Sequence, residues 1–203
     1  TAAVGNGVNV DAKSIYMHAT SHADKPWLSG NADNIQGTTG GIVSGAGAYA
    51  DTKLSLNTLV DVGANANLEV IGLTSNDHTF RLAALNDIVA HEKMTFITGG
   101  ALSGAAVDGT IHTLLDKAKV NVGSNAVLTS PGAIDISARG QADVIERIGV
   151  EVYGAGTVPV GDSHIDIRAL NEVVIGTNTH ILAHGDLNLT AGRDYGGVAD
   201  DYN

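Results

Sequence analysis

The sequence of 203 residues predicts an all-β fold, a parallel β-helix in which successive coils of the chain stack on one another. Two observations predict it. Short segments with alternating apolar and polar residues are separated by Gly, Asn and Asp, which is typical of half-buried strands joined by turns. The chain also contains internal repeats in a constant order, which is typical of solenoids. A helical period is found only at residues 142–148, a short stretch that we expect to be a turn.

A nine-residue pattern, V-x-[V/I]-G-x-N-x-x-[L/I], occurs three times along the chain. Its glycines and asparagines are Gly63 and Asn65, Gly123 and Asn125, and Gly176 and Asn178. Asn tolerates a left-handed backbone and forms local hydrogen bonds at turns, and stacked Asn side chains form amide ladders. We therefore expect these six residues to be structural corners rather than binding residues.

Two further patterns accompany the first one. A Gly-Ala step precedes each copy, at Gly45, Gly104 and Gly154. A short strand with apolar first and third residues begins at Ile15, Leu54, Phe80, Ile134, Ile165 and Leu187. With several short strands in each unit of roughly 50 to 60 residues, we expect two coils per unit and about seven or eight coils in all. At a strand spacing of ~4.8 Å the predicted rod is roughly 35 Å long.

Other all-β architectures agree less well with these repeats. An antiparallel sandwich predicts turn signals about every 8 to 12 residues, but it does not predict three motifs in a constant order. A β-propeller needs more blade repeats than three units supply. The ordered repeats therefore favour the solenoid.

We expect one solenoid over residues 1–203, interrupted in two places. Residues 21–39 contain Pro26 and break the repeat, so they are expected to form an excursion loop. Residues 192–203 are acidic and rich in Gly, and we expect a tail or a link to a next repeat. Trp27 is a candidate recognition residue, because such loops and Trp side chains often bind partners. The alternative is that Trp27 covers an edge of the core.

The composition excludes several classes of function. The chain has 11 Lys and Arg against 22 Asp and Glu, a net charge of -11, and no basic run, so nucleic-acid binding is not expected. Cysteine is absent, which excludes disulfides and thiolate-ligated metals. No apolar run reaches the ~18 residues of a membrane span. No motif predicts a metal site or a cofactor, and calcium would bind without a recognisable motif.

The most specific candidate site is a row of outward polar residues. If the coils stack in register, Asp135, Asp166 and Asn188 lie about 5 Å apart on successive rungs. Arg81 continues the row, and Arg168 is placed to neutralise Asp166. The row is interpreted as a solvated ladder, as a cation site, or as the two carboxylates of a glycosidase, which lie about 5 to 9 Å apart. Without another catalytic motif, the chain is not expected to be an enzyme. A polysaccharide lyase or hydrolase is the alternative.

Four stretches carry a resemblance to a known family: GGALSGA, VNVGSNAVLTSPGAIDISARGQADV, YGAGTVPVG and THILAHGDLNLTAGRD. They resemble the repeat region of the leukotoxin-family filamentous adhesins, which are filamentous-haemagglutinin-like large exoproteins of Gram-negative bacteria. The resemblance extends from about Val8 to Asp194. It implies a right-handed β-helix, secretion through an outer-membrane partner, and an extracellular or cell-surface role in attachment or as a stalk. The family's N-terminal secretion module, with its Asn-Pro motifs, is not seen, so we expect an internal segment.

The sequence thus predicts an adhesive β-helix segment of a secreted bacterial surface filament. The expected partners are neighbouring repeats of the same chain and a host or other cell-surface receptor or glycan. The alternative is a homopolymeric filament subunit, because both ends of a solenoid expose unpaired strand edges that favour end-to-end stacking of copies.

Overall fold

The computed structural model describes residues 1–26, 28, 33–72 and 80–194. Within these residues the regular secondary structure consists of β-strands, with no helix. The strands are β1 (Ala2–Val4), β2 (Asn9–Ala12), β3 (Ile15–Lys25), β4 (Ile35–Gly40), β5 (Val43–Val62), β6 (Asn67–Val70), β7 (Phe80–Gly99), β8 (Leu102–Val122), β9 (Val127–Ser130), β10 (Ile134–Tyr153), β11 (Gly156–Asp166), β12 (Leu170–Ile175), β13 (His180–Ala183) and β14 (Leu187–Asp194). Residues 142–148 lie inside β10, so the turn predicted there is wrong.

The strands form three sheets with parallel pairing throughout. Sheet I has the order β1-β5-β8-β11, with β12 also paired to β8. Sheet II consists of four short strands in the order β2-β6-β9-β13. Sheet III has the order β14-β10-β7-β3, with β4 also paired to β7. The chain visits sheets I, II and III in turn and then returns to sheet I beside its previous strand. The predicted parallel β-helix is therefore confirmed.

The coils are fewer and wider than predicted. Val60 lies opposite Val120, and Val120 lies opposite Val173, so one repeat unit is one coil and not two. Sheet II accordingly contains four strands, against the seven or eight coils expected from the sequence. Four strands at ~4.8 Å rise only about 14 Å, while strands of 20 residues are about 65 Å long. The described molecule is a wide slab rather than a 35 Å rod.

The corner between sheets I and II repeats with nearly constant geometry. Asn65, Asn125 and Asn178 have φ angles of 57°, 58° and 57°, the left-handed conformation expected of them. The Asn125 Nδ2 atom donates to the Asn65 Oδ1 atom at 3.3 Å, which is one step of an amide ladder. A Cβ atom on Gly123 would lie 2.5 Å from the Ala64 backbone nitrogen. Only glycine therefore allows the corners to stack this closely.

The first coil contains a fourth corner that the nine-residue pattern does not detect. Gly7 has a φ of 66°, and its amide donates to the Ala64 carbonyl at 2.9 Å. It takes the left-handed position that Asn occupies in later coils. The substitution is permitted because glycine adopts this conformation even more readily than asparagine.

A different kind of corner joins sheet III to sheet I. Here Ser44 donates its hydroxyl to the Gly99 carbonyl at 3.0 Å, and Ser103 donates to the Tyr153 carbonyl at 2.9 Å. Two of the predicted Gly-Ala steps align, since Gly45 lies opposite Gly104. The third does not align, because Val158 lies opposite Gly104 instead. Gly154 belongs to the corner itself, where a Cβ atom would meet the Gly100 carbonyl.

The two predicted interruptions of the solenoid have different bounds in the structure. Strand β3 continues to Lys25 and β4 begins at Ile35, so residues 21–25 and 35–39 of the expected excursion are strand, while residues 27 and 29–32 lie outside the described part of the chain. The expected tail at 192–203 begins with the last three residues of β14, and the rest lies outside the described residues.

Apolar residues fill the space where all three sheets meet. This largest core cluster includes Val60, Leu68, Phe80, Leu82, Val120, Val122, Leu128, Ile134 and Ile136. All of these side chains are buried, because each is covered by sheets on either side and by the coils above and below. Two smaller clusters lie farther along, where only sheets I and III face each other. Polar side chains lie inside the molecule between the clusters.

Candidate functional site

The outward face of sheet III carries part of the predicted polar row. In register across the sheet lie Tyr16, Arg81, Asp135 and Asn188, one from each coil. The Arg81 Nε atom lies 3.4 Å from the Asp135 Oδ2 atom, and the Arg81 guanidinium lies 5.9 Å from the centre of the Tyr16 ring. Asp135, Asn188 and Arg81 are therefore neighbours, as the sequence predicted.

Asp166 does not belong to this row, which corrects the prediction. It lies on sheet I opposite His112, and the inward residues of sheets I and III separate it from Asp135. The Arg168 Nη2 atom lies 2.7 Å from the Asp166 Oδ2 atom. This ion pair, with its hydrogen bond, lowers the pKa of Asp166 below its ordinary value and raises the pKa of Arg168. A carboxylate pair formed by Asp135 and Asp166 therefore does not exist.

A cavity of about 150 Å³ opens beside the row on the outward face of sheet III. It is lined by Tyr16, His18, Arg81, Ala83, Ala84, Leu85, Ser137 and Arg139. The small residues Ala83 and Ser137 lie opposite each other, between the pair Arg81 and Asp135 on one side and the pair Leu85 and Arg139 on the other. The cavity exists because these small residues leave space beside the two arginines.

A second polar group lies inside the molecule, between sheets I and III. Glu92 is 2% exposed, and its Oε2 atom accepts hydrogen bonds from Lys25 and Thr52, both at 2.9 Å. Glu146 lies opposite Glu92 on the next coil and accepts a hydrogen bond from Ser163 at 2.6 Å. Glu92 and Glu146 thus begin a row of polar side chains that runs parallel to the solenoid axis. We call it the interior row, and it also includes Lys25, Thr52 and Ser163.

The interior row contains two carboxylates on adjacent coils and one described lysine. Burial raises the pKa of Glu146 above its ordinary value, and the nearby charges of Glu92 and Asp108 raise it further, while the Ser163 hydrogen bond lowers it. The carboxylate occupies the space that Gly109 leaves, because a Cβ atom on Gly109 would meet the Glu146 Oε1 atom. This arrangement favours the protonated form of Glu146 more strongly in the folded chain than in the unfolded chain.

A third polar group crosses the interior nearer to the three-sheet core. Asn86 accepts a hydrogen bond from Thr58 and donates from Nδ2 to the Asp116 Oδ1 atom at 2.7 Å. All three residues are buried. Ser21 lies at the end of this group and donates its hydroxyl to the Thr58 hydroxyl oxygen, with the two oxygens 2.7 Å apart. These partners satisfy the polar atoms, so we interpret the group as structural.

Sequence reasoning missed both the cavity and the two interior polar groups. For the interior groups a signal was available, since Glu92 and Glu146 occupy inward positions of alternating strands where apolar residues are the rule. For the cavity a partial signal was available, because the aligned short strands place Tyr16 beside Arg81, and Arg139 follows Asp135 by four residues. The space between these side chains depends on their conformations, which the sequence does not give.

The remaining points concern Trp27, metal ions and membrane-spanning helices. Trp27, the candidate recognition residue, lies outside the described residues. Among the residues that the structure describes, no group of three or more His, Asp or Glu is placed to hold a metal ion. In the same part of the chain, no helix is long and apolar enough to cross a membrane.

The chain was also compared with known proteins. No protein-family model, no curated protein and no solved structure matches it.

Proposed function

We propose that the chain is a structural and adhesive β-solenoid segment of a secreted bacterial surface filament. The observation that carries the proposal is the in-register stack of parallel coils around a repeated corner, an architecture that extends by adding further coils. Such a stack holds outward side chains in regular rows on two wide sheets. A net charge of -11 favours solubility.

The location of the polypeptide tests the filament part of this proposal. An antibody raised against the chain is applied to intact producing bacteria and, separately, to lysed ones. We expect labelling of intact cells and a polypeptide mass well above the 20.7 kDa of this chain on a blot. Labelling that requires lysis would contradict a surface role.

The adhesive part is tested with beads coated with the folded chain. We expect the beads to be retained on host cells or on immobilised glycans, and we expect excess free chain to displace them, because a specific receptor is saturable. Beads coated with the heat-unfolded chain are the matched control. Equal retention of both kinds of bead would show non-specific adhesion and would contradict the proposal.

A second candidate is a filament of end-to-end copies, and the last coil provides the observation that favours it. Leu187 and Leu189 are 45% and 51% exposed, whereas the equivalent Ile134 and Ile136 on the preceding coil are fully buried at 0%. An inward apolar residue that lacks a covering coil favours stacking of another coil. In the first coil the residue of the same column is Ile15, which is buried, so the exposed apolar surface of this column lies at the last coil.

Light scattering at increasing protein concentration tests this second candidate. We expect the average mass to rise with concentration, and we expect Leu189→Glu to suppress the rise because a charge would be buried at the junction. The exposed Leu102, on the outward side of β8, provides the control substitution Leu102→Glu. A constant monomer mass at all concentrations would contradict end-to-end assembly.

The polysaccharide-acting enzyme is not proposed. Its motivating observation was a pair of adjacent carboxylates at Asp135 and Asp166. These residues lie on different sheets, so the two-carboxylate mechanism has no site there.

A further inference from the structure

We propose that the cavity on the outward face of sheet III is a binding site for a small carboxylate that carries a compact six-membered ring, such as a sugar acid. We call it the arginine cavity, and it is lined by Tyr16, His18, Arg81, Ala83, Ala84, Leu85, Ser137 and Arg139. This inference does not depend on the proposed adhesive function, because binding is measured on the isolated chain.

The size of the arginine cavity matches one ring. Its volume is about 150 Å³. A cavity of about this volume in another protein accommodates benzene, so the space is sufficient for a single six-membered ring. Ala83 and Leu85 provide apolar surface, as expected for a ligand site with a few converging polar groups.

The charge of the arginine cavity selects an anion. Two of the five arginines in the chain line it, although the chain as a whole has a net charge of -11. Asp135 contacts Arg81 and orients it. The Arg81 guanidinium can bind a ligand while it contacts Asp135, because it has five N–H donors and a ligand carboxylate accepts from only two of them. Arg139 lies on the opposite side of the Ala83 and Ser137 column and provides the second cation.

An aromatic side chain at the rim provides a surface for the ring of the ligand. Tyr16 is 57% exposed, and its ring lies 5.7 Å from the His18 ring at an angle of 54°. Arg81 lies 5.9 Å from the centre of the Tyr16 ring, so the arginine is held beside the aromatic surface. A ligand that places its carboxylate between Arg81 and Arg139 can therefore lay an apolar ring face against Tyr16.

Binding is tested by titrating the folded, isotope-labelled chain and following the backbone amide resonances. The probes are glucuronate, benzoate, propionate and glucose at matched ionic strength. We expect glucuronate or benzoate to shift the resonances of Ala83, Ser137 and Arg139, propionate to bind more weakly because it lacks a ring, and glucose to leave them unchanged. A comparison of the affinities for glucuronate and benzoate shows whether the site prefers a sugar ring or an aromatic ring.

Three variants show whether the arginine cavity is the site. Arg139→Gln retains the size of the side chain and removes its charge, and we expect about tenfold weaker binding. Ala83→Leu fills the cavity, and we expect binding to be lost. Arg147→Gln removes an arginine from the same strand outside the cavity, and we expect unchanged affinity. The dispersion of the amide resonances shows that each variant is folded.

The results that overturn the inference are distinct from those that overturn adhesion. Equal shifts with glucose and glucuronate would show that charge is not recognised. An equal loss in Arg139→Gln and Arg147→Gln would show a general charge effect, and no shift with any probe would show that no site exists. Bead adhesion that persists in Ala83→Leu would leave the adhesive function intact and assign it to another surface.

Discussion

Two parts of the molecule are built on the same strands but have different interiors. In the three-sheet part, where sheets I, II and III meet, the inward residues include Val62, Leu82 and Ile136, and all of them are buried apolar residues. In the two-sheet part, only sheets I and III face each other, and the interior includes Glu92 and Glu146 beside small apolar clusters.

The difference shows where the geometry of the fold restricts the sequence. In the three-sheet part, the corner backbones are in contact and each inward side chain touches neighbours on all sides, so the nine-residue pattern recurs with little variation. The two-sheet part has space for polar groups that bond to one another, and its sequence repeats weakly. The regular pattern therefore marks the part of the coil that is most constrained.

The largest expected effect on the free energy of unfolding comes from replacing the two phenylalanines, one in each part. Phe80 lies in the three-sheet core and Phe96 in the small two-sheet cluster, where it packs against Gly37. We expect Phe80→Ala to lower the free energy of unfolding by about 3 to 5 kcal/mol and Phe96→Ala by about 3 kcal/mol or less, because the smaller cluster can close the cavity. Urea denaturation measures both, and a greater loss in Phe96→Ala would contradict the comparison.

The next effect concerns the glycine of the corner. We expect Gly123→Ala to lower the free energy of unfolding by about 1 to 3 kcal/mol, because its Cβ atom would force the Ala64 backbone to move. Gly192→Ala on β14 is the matched control, since a Cβ atom there meets no atom within 4 Å. Thermal unfolding of both variants checks this, and equal midpoints would show that the corner tolerates a side chain.

The interior carboxylates predict a dependence of stability on pH. The pKa of Glu146 is raised above the ordinary 4.5 in the folded chain, so the folded state retains this proton to higher pH than the unfolded chain does. Its contribution to the free energy of unfolding therefore falls as the pH rises from about 4.5 through the folded pKa, and it does not change below that window.

Glu146→Gln tests this contribution. The amide carries no charge, so we expect the variant to be more stable than the parent at neutral pH and the two to converge towards pH 4.5. Urea denaturation at a series of pH values provides the measurement. Glu151→Gln, on the outward side of the same strand, controls for the loss of one negative charge. The same pH dependence in the parent and in Glu146→Gln would assign it to other groups.

The smallest expected effect on stability comes from breaking the outward ion pairs. Asp135→Asn weakens the contact to Arg81, whose side chain is 17% exposed, and we expect a loss of about 0.5 kcal/mol. Asp166→Asn breaks a pair whose arginine, Arg168, is 82% exposed, and we expect no measurable change in the unfolding midpoint. A larger loss in Asp166→Asn than in Asp135→Asn would show that Asp166 has a structural role in its sheet.

Much of the fold was predictable because it depends on local chemistry. The left-handed φ of Asn65 and the close contact at Gly123 require particular residue types at fixed positions, and such requirements are visible in one sequence. The site was predictable only in part. The neighbours Asp135 and Asn188 were identified, whereas Asp166 was assigned to the wrong sheet, because short strands of the same pattern occur in both long sheets.

The β class, the left-handed corners and the solenoid follow from the sequence alone, because alternation and turn chemistry act within a few residues. The tertiary structure decided that each unit is one wide coil, since a repeat length of 53 to 60 residues is compatible with either one coil or two. It also decided the pairing of Asp166 with His112 on sheet I and the adjacency of Glu92 and Glu146. These contacts depend on register, which is set when distant strands pair and which alternation alone does not specify.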